Sequence, residues 1–183
     1  MDAITDPTLR MFLDAARASD SARSRARFGA LHRHRAEDAT LLGLLTNLAD
    51  CGAFVTIRTS AGINRRGTIT AAGPGGVVIA QSPNFETILR TSAIASVRSA
   101  TPLRLDGDGV PLMSTSWPTL LASHIDSNDE VTVTISGVQI SGQVRNMSRS
   151  LLILTSPDGG VFYAVVDAID EVSISVPGSI RHD

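Results

Sequence analysis

Two stretches of the chain share one pattern of alternating residues and turns. Residues 55–69 read VTIRTSAGINRRGTI, and residues 131–144 read VTVTISGVQISGQV. In both, branched apolar residues alternate with polar ones, which is typical of a half-buried strand, and a glycine then marks a turn. A second glycine, Gly67 or Gly142, lies inside the following strand, where glycine usually marks a sharp bend or bulge. Each stretch therefore predicts a strongly bent pair of strands.

The correspondence continues beyond these two stretches. The apolar run at 77–79 lies where the run at 151–154 lies, and residues 93–97 match 168–172. The offset between matching positions is 76 at the first strand and 75 afterwards. An offset this constant indicates duplication of one supersecondary unit.

Each copy is predicted to be a short helix followed by five strands. Leu41, Leu44, Leu45 and Leu48 are spaced as one face of a helix, and a shorter helix is expected around 118–125. The fold class predicted is mostly β, with two tandem five-stranded bent barrels and an N-terminal helical arm. The expected strands lie near 55–58, 63–69, 77–81, 86–90 and 94–98, and near 130–135, 138–146, 150–155, 161–166 and 170–175.

The chain divides into five predicted segments. An Arg-rich helical arm at 1–39 precedes the first barrel at 40–100, and a linker at 101–115 precedes the second barrel at 116–176. The tail, 177–183, is expected to be frayed. No basic and apolar leader opens the sequence, and no apolar run is long enough to span a bilayer. The single cysteine, Cys51, favours a reducing compartment, so we expect a cytoplasmic protein without membrane contact.

The charge is unevenly shared, although the net charge of the 183 residues is only −2. All 16 basic residues are arginines; five of them lie at 40–100 against two acids, a net charge of +3. Residues 116–176 carry two arginines against seven acids, a net charge of −5. Opposite charges favour packing of one barrel on the other, within a chain or head to tail between chains. The alternative is that these are solvated surface charges, which contribute little.

The order of elements resembles the Sm-like fold, the group that contains Sm, LSm and Hfq proteins. Residues 55–69 are similar to that family's first motif, and residues 87–97 are similar to its second. The whole chain also resembles actinobacterial proteins that join an Arg-rich helix to such a barrel. The resemblance implies small barrels that pair through strand edges, and it implies RNA as a ligand.

The chain departs from the family at the residues that contact uridine-rich RNA. The slots of the family's Asp and Asn hold Gly73 and Val77 in the first copy, and Ser148 and Leu152 in the second. In the Arg-Gly pair of the second motif, Arg90 matches but a threonine follows it; in the second copy two valines, 165 and 166, occupy those slots. Of that contact set, only Arg90 carries over.

Arginines supply the candidate nucleic-acid contacts, since phosphate groups bind guanidinium groups without sequence readout. One set lies in the first barrel and the other in the arm, and a solvated surface is the alternative for both. Unspecific single-strand binding usually adds stacking aromatics, but the chain has few, and several are expected in the core. The candidates are Arg58, Arg65, Arg66 and Arg90 in the barrel, and Arg23, Arg25, Arg27, Arg33 and Arg35 in the arm.

No pattern in the sequence points to catalysis, a metal or a cofactor. His32 and His34 would face different sides of a helix, and Cys51 has no matched histidine. The glycine-rich stretch 73–76 lacks the Lys-Ser/Thr of a phosphate loop and is interpreted as a turn. Three acids, at 167, 170 and 171, are interpreted as acidic surface, with a bound cation as the alternative. We therefore expect a non-enzymatic regulator that touches RNA; the alternative is an assembly module that has lost RNA binding and forms homo-oligomers or an intra-chain pseudo-dimer.

Overall fold

The computed structural model describes residues 40–100 and 115–175. These ranges hold two α-helices, ten strands and two single-turn 3-10 helices, Thr91–Ala93 and Val166–Ala168, and the order α-helix–five strands occurs twice. We call Leu41–Ser99 the first unit and Trp117–Ser175 the second unit. The first unit contains α1 (Leu41–Asp50), β1 (Phe54–Thr59), β2 (Asn64–Ala72), β3 (Gly76–Ser82), β4 (Phe85–Arg90) and β5 (Ile94–Ser99); the second contains α2 (Trp117–Ala122), β6 (Glu130–Ile135), β7 (Val138–Met147), β8 (Leu151–Thr155), β9 (Val161–Val165) and β10 (Glu171–Ser175).

All ten strands belong to one antiparallel sheet. Their order is β5-β1-β2-β3-β4-β10-β6-β7-β8-β9, so the two units meet where β4 pairs with β10. The strands at the two ends of this order, β5 and β9, each have one edge without a strand partner among the described residues.

Helix α1 forms because a threonine caps its start and leucines recur on one side. Thr40 accepts a hydrogen bond from the backbone N–H of Gly43 at 3.0 Å, which satisfies one of the free donors of the first turn. Leu45 and Leu48 are fully buried against β1, β2 and β3. Leu41, the first leucine of the predicted face, is 37% exposed, so the helix packs through its later turns.

The sheet presents opposite faces to two separate hydrophobic clusters. Alternate residues of β4 point to opposite sides, and both sides are covered. Leu89 lies in the cluster of the first unit, whereas its neighbour Ile88 lies in the cluster of the second unit. Val78 on β3 also joins the second cluster. Strands β3 and β4 therefore lie between the two clusters and contribute side chains to both.

Gly67 and Gly142 are required by close approach of the neighbouring strand. A Cβ built on Gly67 would lie 2.3 Å from the backbone oxygen of Ala80, and one on Gly142 would lie 2.7 Å from that of Thr155. The register shifts come later, between Ile69 and Ala71 in the first unit and at the matching place in the second. The expected irregularity is present in each long strand, but the glycine serves the strand contact and not the bulge itself.

The mostly-β fold class is confirmed, with a ten-stranded antiparallel sheet and two short α-helices among the described residues. The second helix ends at Ala122, earlier than the expected 125. The finer expectation that each unit is an Sm-like barrel stays a prediction. The arm at 1–39, most of the linker and the tail lie outside the described residues. In the ranges that the structure covers, no helix has both the length and the apolar character to cross a membrane.

Candidate nucleic-acid interface

One surface of the first unit gathers exposed arginines from three neighbouring strands. On β1, Val55 and Ile57 point inward and are buried, so the alternate residues point outward. The partners of these outward residues on β2 and β5 point to the same side. We call this outward surface the basic face; it consists of Phe54, Thr56, Arg58, Asn64, Arg66, Thr68, Ser96 and Arg98.

The register of the sheet fixes the spacing of the cations. Thr56 pairs with Arg66 on one side and with Arg98 on the other, so these two arginines flank β1 in one row. Neighbouring strands lie about 4.8 Å apart, which places their Cα atoms about 10 Å apart. Arg58 lies two residues further along β1 on the same face, between its strand partners Asn64 and Ser96. The Cα atoms of the three arginines therefore form a triangle, and the Arg58 side chain reaches toward the turn, where its Nη2 lies 3.9 Å from the position that a Cβ on Gly62 would take.

The charge of the basic face is not compensated locally. Strands β1, β2 and β5 contain no acidic residue. Arg58, Arg66 and Arg98 are all exposed, and none of them makes an ion pair within 40–100 or 115–175. Uncompensated arginines on an acid-free surface attract anions, and their planar fork matches the geometry of a phosphate group.

Phe54 adds an aromatic ring to the basic face. It opens β1 with 60% of its surface exposed, although the sequence led us to expect many of the few aromatics in the core. Its cross-strand partner is Thr68, one step from the row of Arg66. An exposed ring beside cations is the arrangement on which an unstacked base can stack while its phosphate meets a guanidinium group.

The corresponding positions of the second unit hold no arginine and no aromatic residue. Strands β6 and β7 pair in the same register as β1 and β2, so matching positions can be compared directly. The place of Phe54 is taken by Glu130, and the three arginine positions hold uncharged hydroxyl side chains, Thr134, Ser141 and Ser173. Glu130, Ser141 and Ser173 line a groove together with Thr132 and Gln143, whereas Thr134 is buried. The two units share inward apolar positions but differ in what they show outward.

Two of the arginines predicted to bind nucleic acid make contacts with the second unit instead, at the joint where β4 pairs with β10. Arg65 points inward and donates from Nε to Glu171 Oε1 at 2.8 Å and from Nη2 to the same oxygen at 2.5 Å. The carboxylate is only 1% exposed, whereas the Arg65 side chain is 20% exposed. Arg65 therefore lies on the opposite side of β2 from Arg66, as strand alternation requires.

Arg90 makes the second contact across the joint. Its Nη1 donates to the backbone oxygen of Asp167, and its backbone N–H donates to the backbone oxygen of Asp170 at 2.9 Å. The carboxylate of Asp167 lies 3.9 Å from Nη2 and is largely exposed. Arg90 thus holds the turn before β10 and is separate from the basic face.

The three acids interpreted as acidic surface have distinct contacts. Glu171 is buried on Arg65, and Asp167 lies beside Arg90. Asp170 Oδ2 accepts from the backbone N–H of Ser136 at 2.8 Å. Within the described residues, no group of three or more His, Cys, Asp and Glu side chains is arranged to hold a metal ion.

The remaining predicted residues divide between the basic face and the undescribed arm. Arg58 and Arg66 lie on the basic face, whereas Phe54 and Arg98 belong to it although the sequence analysis did not select them. Arg98 could be assigned to this face only from the pairing of β1 with β5, which places it opposite Thr56. The sequence does not show that pairing. The arm candidates Arg23, Arg25, Arg27, Arg33 and Arg35 lie outside the described residues.

The slots of the family's RNA contacts are occupied by structural residues. Gly73 closes the turn between β2 and β3, and Val77 and Leu152 are fully buried. Ser148 accepts from the backbone N–H of Leu151 at 3.1 Å within its own turn. No protein-family model matches this sequence, and no curated protein matches it either.

Proposed function

We propose that this protein is a non-enzymatic nucleic-acid-associated module that binds single-stranded RNA through the basic face. The proposal extends to the two units being Sm-like barrels, although the RNA surface differs from the one that the family resemblance implies. The observation that carries it is the cluster of exposed Arg58, Arg66 and Arg98, which make no ion pair within 40–100 or 115–175, beside the exposed Phe54. In the second unit, Glu130 takes the place of Phe54 and Ser141 the place of Arg66. The positions of Arg58 and Arg98 are buried there as Thr134 and Ser173, so only the first unit offers this arrangement to solvent.

The chemistry favours single strands over duplexes. A flat strand surface offers cations to the backbone and one ring to a base, and an unpaired base exposes its π-face. The A-form duplex hides its bases and is recognised mainly through shape, phosphates and 2′-hydroxyls. Binding by arginine and a stacking ring tolerates many sequences, so the module is expected to bind single strands without strong base preference.

The decisive measurement is the salt dependence of RNA binding by two matched double variants. Arg66→Ala/Arg98→Ala removes two charges from the basic face, and Arg145→Ala/Arg149→Ala removes two exposed charges from the second unit. Binding of a fluorescent single-stranded RNA is followed by anisotropy at several salt concentrations. Each lost phosphate contact makes the slope of log K against log salt shallower by about 0.7.

The first variant is therefore expected to lose about 1.4 from that slope and about 25-fold in affinity at 0.1 M salt, estimated for full counterion release at both contacts. The control variant should keep the slope of the native protein. Equal effects of the two variants would show that only overall charge matters and would overturn the proposal. Absence of binding by the native protein at low salt would overturn it as well.

Further binding measurements define the ligand. Phe54→Ala should weaken binding about 5- to 150-fold, the range for one stacked base. Single-stranded DNA of the same sequence distinguishes a general single-strand ligand from RNA alone, and duplex RNA should bind less tightly. Replacing the five candidate arginines among the seven of residues 1–39 by alanine measures their contribution separately from that of the basic face.

A further inference from the structure

Strand β9 leaves an uncharged, apolar edge at one end of the sheet. Its sequence is VFYAV, and its free edge has no partner strand within 40–100 or 115–175. Three of its five side chains are exposed: Val161 at 43%, Tyr163 at 63% and Val165 at 53%. Soluble proteins usually protect such edges with charges, proline or a covering element. This edge has neither a charge nor a proline.

In the first unit, the strand that corresponds to β9 is paired with another strand along this edge. Strand β4 has the same place in the first unit as β9 has in the second, since Val78 pairs with Ile88 as Ile153 pairs with Tyr163. The free edge of β4 pairs with β10, and Ile88 is completely buried in the cluster beyond it. Tyr163 is the counterpart of Ile88 and lacks this cover.

The opposite end of the sheet is a poor partner for β9. At the joint, Thr134 and Ser173 lie beneath the neighbouring unit at 2% and 6% exposure. Their counterparts beside the free edge of β5 are Arg58 and Arg98. If β9 of one copy paired with β5 of another copy, as β4 pairs with β10 at the joint, Arg58 and Arg98 would be removed from water. Strand β9 has no acidic side chain to compensate their charges, so this burial is costly.

A second β9 fits the edge better. In an antiparallel pair centred on Tyr163, Val161 faces Val165, Phe162 faces Ala164 and the two tyrosines face each other. Apolar and aromatic cross-strand pairs of this kind stabilise a sheet. The contact uses the same patch on both copies, which gives the closed two-fold dimer that is commonest among oligomers.

We propose that two copies of this chain associate through antiparallel pairing of their β9 strands, joining two ten-stranded sheets into one. This inference is independent of the proposed RNA binding, because the basic face lies at the other end of the sheet. The two negatively charged second units approach each other in the dimer, at a net charge of −5 each over 116–176. Salt screens this repulsion and should strengthen the dimer, whereas salt weakens RNA binding.

A cysteine cross-link tests the two-fold pairing directly. Facing residues in an antiparallel pair have Cα atoms about 4.5 or 5.5 Å apart, inside the range that a disulfide spans. Tyr163→Cys is made in a Cys51→Ser background, since Cys51 is itself exposed. Val138→Cys, at a site 62% exposed on β7, is the matched control. Mild oxidation should give a covalent dimer of the first protein and not of the second.

Light scattering on the nuclease-treated full chain provides the second measurement. The native protein and Val138→Lys should be dimers, and Tyr163→Lys should be monomeric, because a charge on an edge prevents pairing. A monomeric native protein would overturn the proposal, as would equal cross-linking of the two cysteine variants. Species larger than a dimer that persist in Tyr163→Lys would show assembly through another edge and would also overturn it.

Discussion

The buried ion pair at the joint offers the sharpest test of how the two units are held together. Glu171 is 1% exposed, and its Oε1 accepts hydrogen bonds from both Nε and Nη2 of Arg65. The Thr134 hydroxyl lies 3.5 Å from the same oxygen, whereas Oε2 is buried without a hydrogen-bond partner among the described residues. The carboxylate therefore depends on a single arginine for its charge compensation.

Replacing Arg65 by alanine leaves this carboxylate buried and uncompensated. Breaking a buried pair from one side costs about 3–5 kcal/mol of stability. With a urea m-value of about 2 kcal/mol/M, the unfolding midpoint should fall by about 1.5–2.5 M. The double variant Arg65→Met/Glu171→Leu replaces both charges by apolar groups, which is often neutral or stabilising, so it should recover most of that loss.

Urea unfolding followed by tryptophan fluorescence measures the effect, since Trp117 is buried in the second unit. Arg66→Ala is the control, because this neighbouring arginine is exposed and its removal should change stability by no more than about 0.5 kcal/mol. The reasoning fails if Arg65→Ala is as stable as Arg66→Ala. It also fails if the double variant is no more stable than Arg65→Ala alone.

Two further substitutions probe close contacts elsewhere in the fold. Gly67→Ala places a Cβ 2.3 Å from the backbone oxygen of Ala80, and such overpacking should lower stability by about 1–3 kcal/mol, seen as a lower melting temperature; an unchanged temperature would contradict the close approach of β2 and β3. Trp117→Phe removes the Nε1–H that donates to the Val166 oxygen at 3.0 Å and leaves that oxygen with the Ile169 backbone N–H, at 3.2 Å, as its remaining donor among the described residues. A loss of about 0.5–1.5 kcal/mol is expected in urea unfolding followed by circular dichroism, and full retention of stability would show that the indole hydrogen bond contributes nothing beyond the Ile169 donor.

The local elements were predictable from the sequence because their signals are local. Alternating residues such as Val55 and Ile57 mark buried positions of a strand, and the leucines of α1 mark a helix face. The glycines that separate or interrupt strands were also informative. The two apolar clusters follow from these periodicities, since inward positions of strands and helices must be covered.

The joint was not predictable, because it depends on which strand edge meets which. Nothing in the sequence near Arg65 indicates that Glu171, 106 residues later, lies beside it. The sequence interpretation placed Arg65 and Arg90 with Arg58 and Arg66 as phosphate ligands, since all four belong to the same net positive segment. Strand alternation places Arg65 and Arg66 on opposite sides of β2, but only the pairing of β4 with β10 shows that the side of Arg65 meets the second unit.

The shared strands β3 and β4 have a consequence for any attempt to separate the two halves. A module that carries its own complete interior can usually be expressed alone. Here the first half contributes Ile88 and Val78 to the interior of the second, and the turn at Gly75 lies against the backbone of Trp117. Cutting the chain between the halves would expose apolar side chains of the second cluster to water. The smallest stable fragment is therefore expected to contain both units.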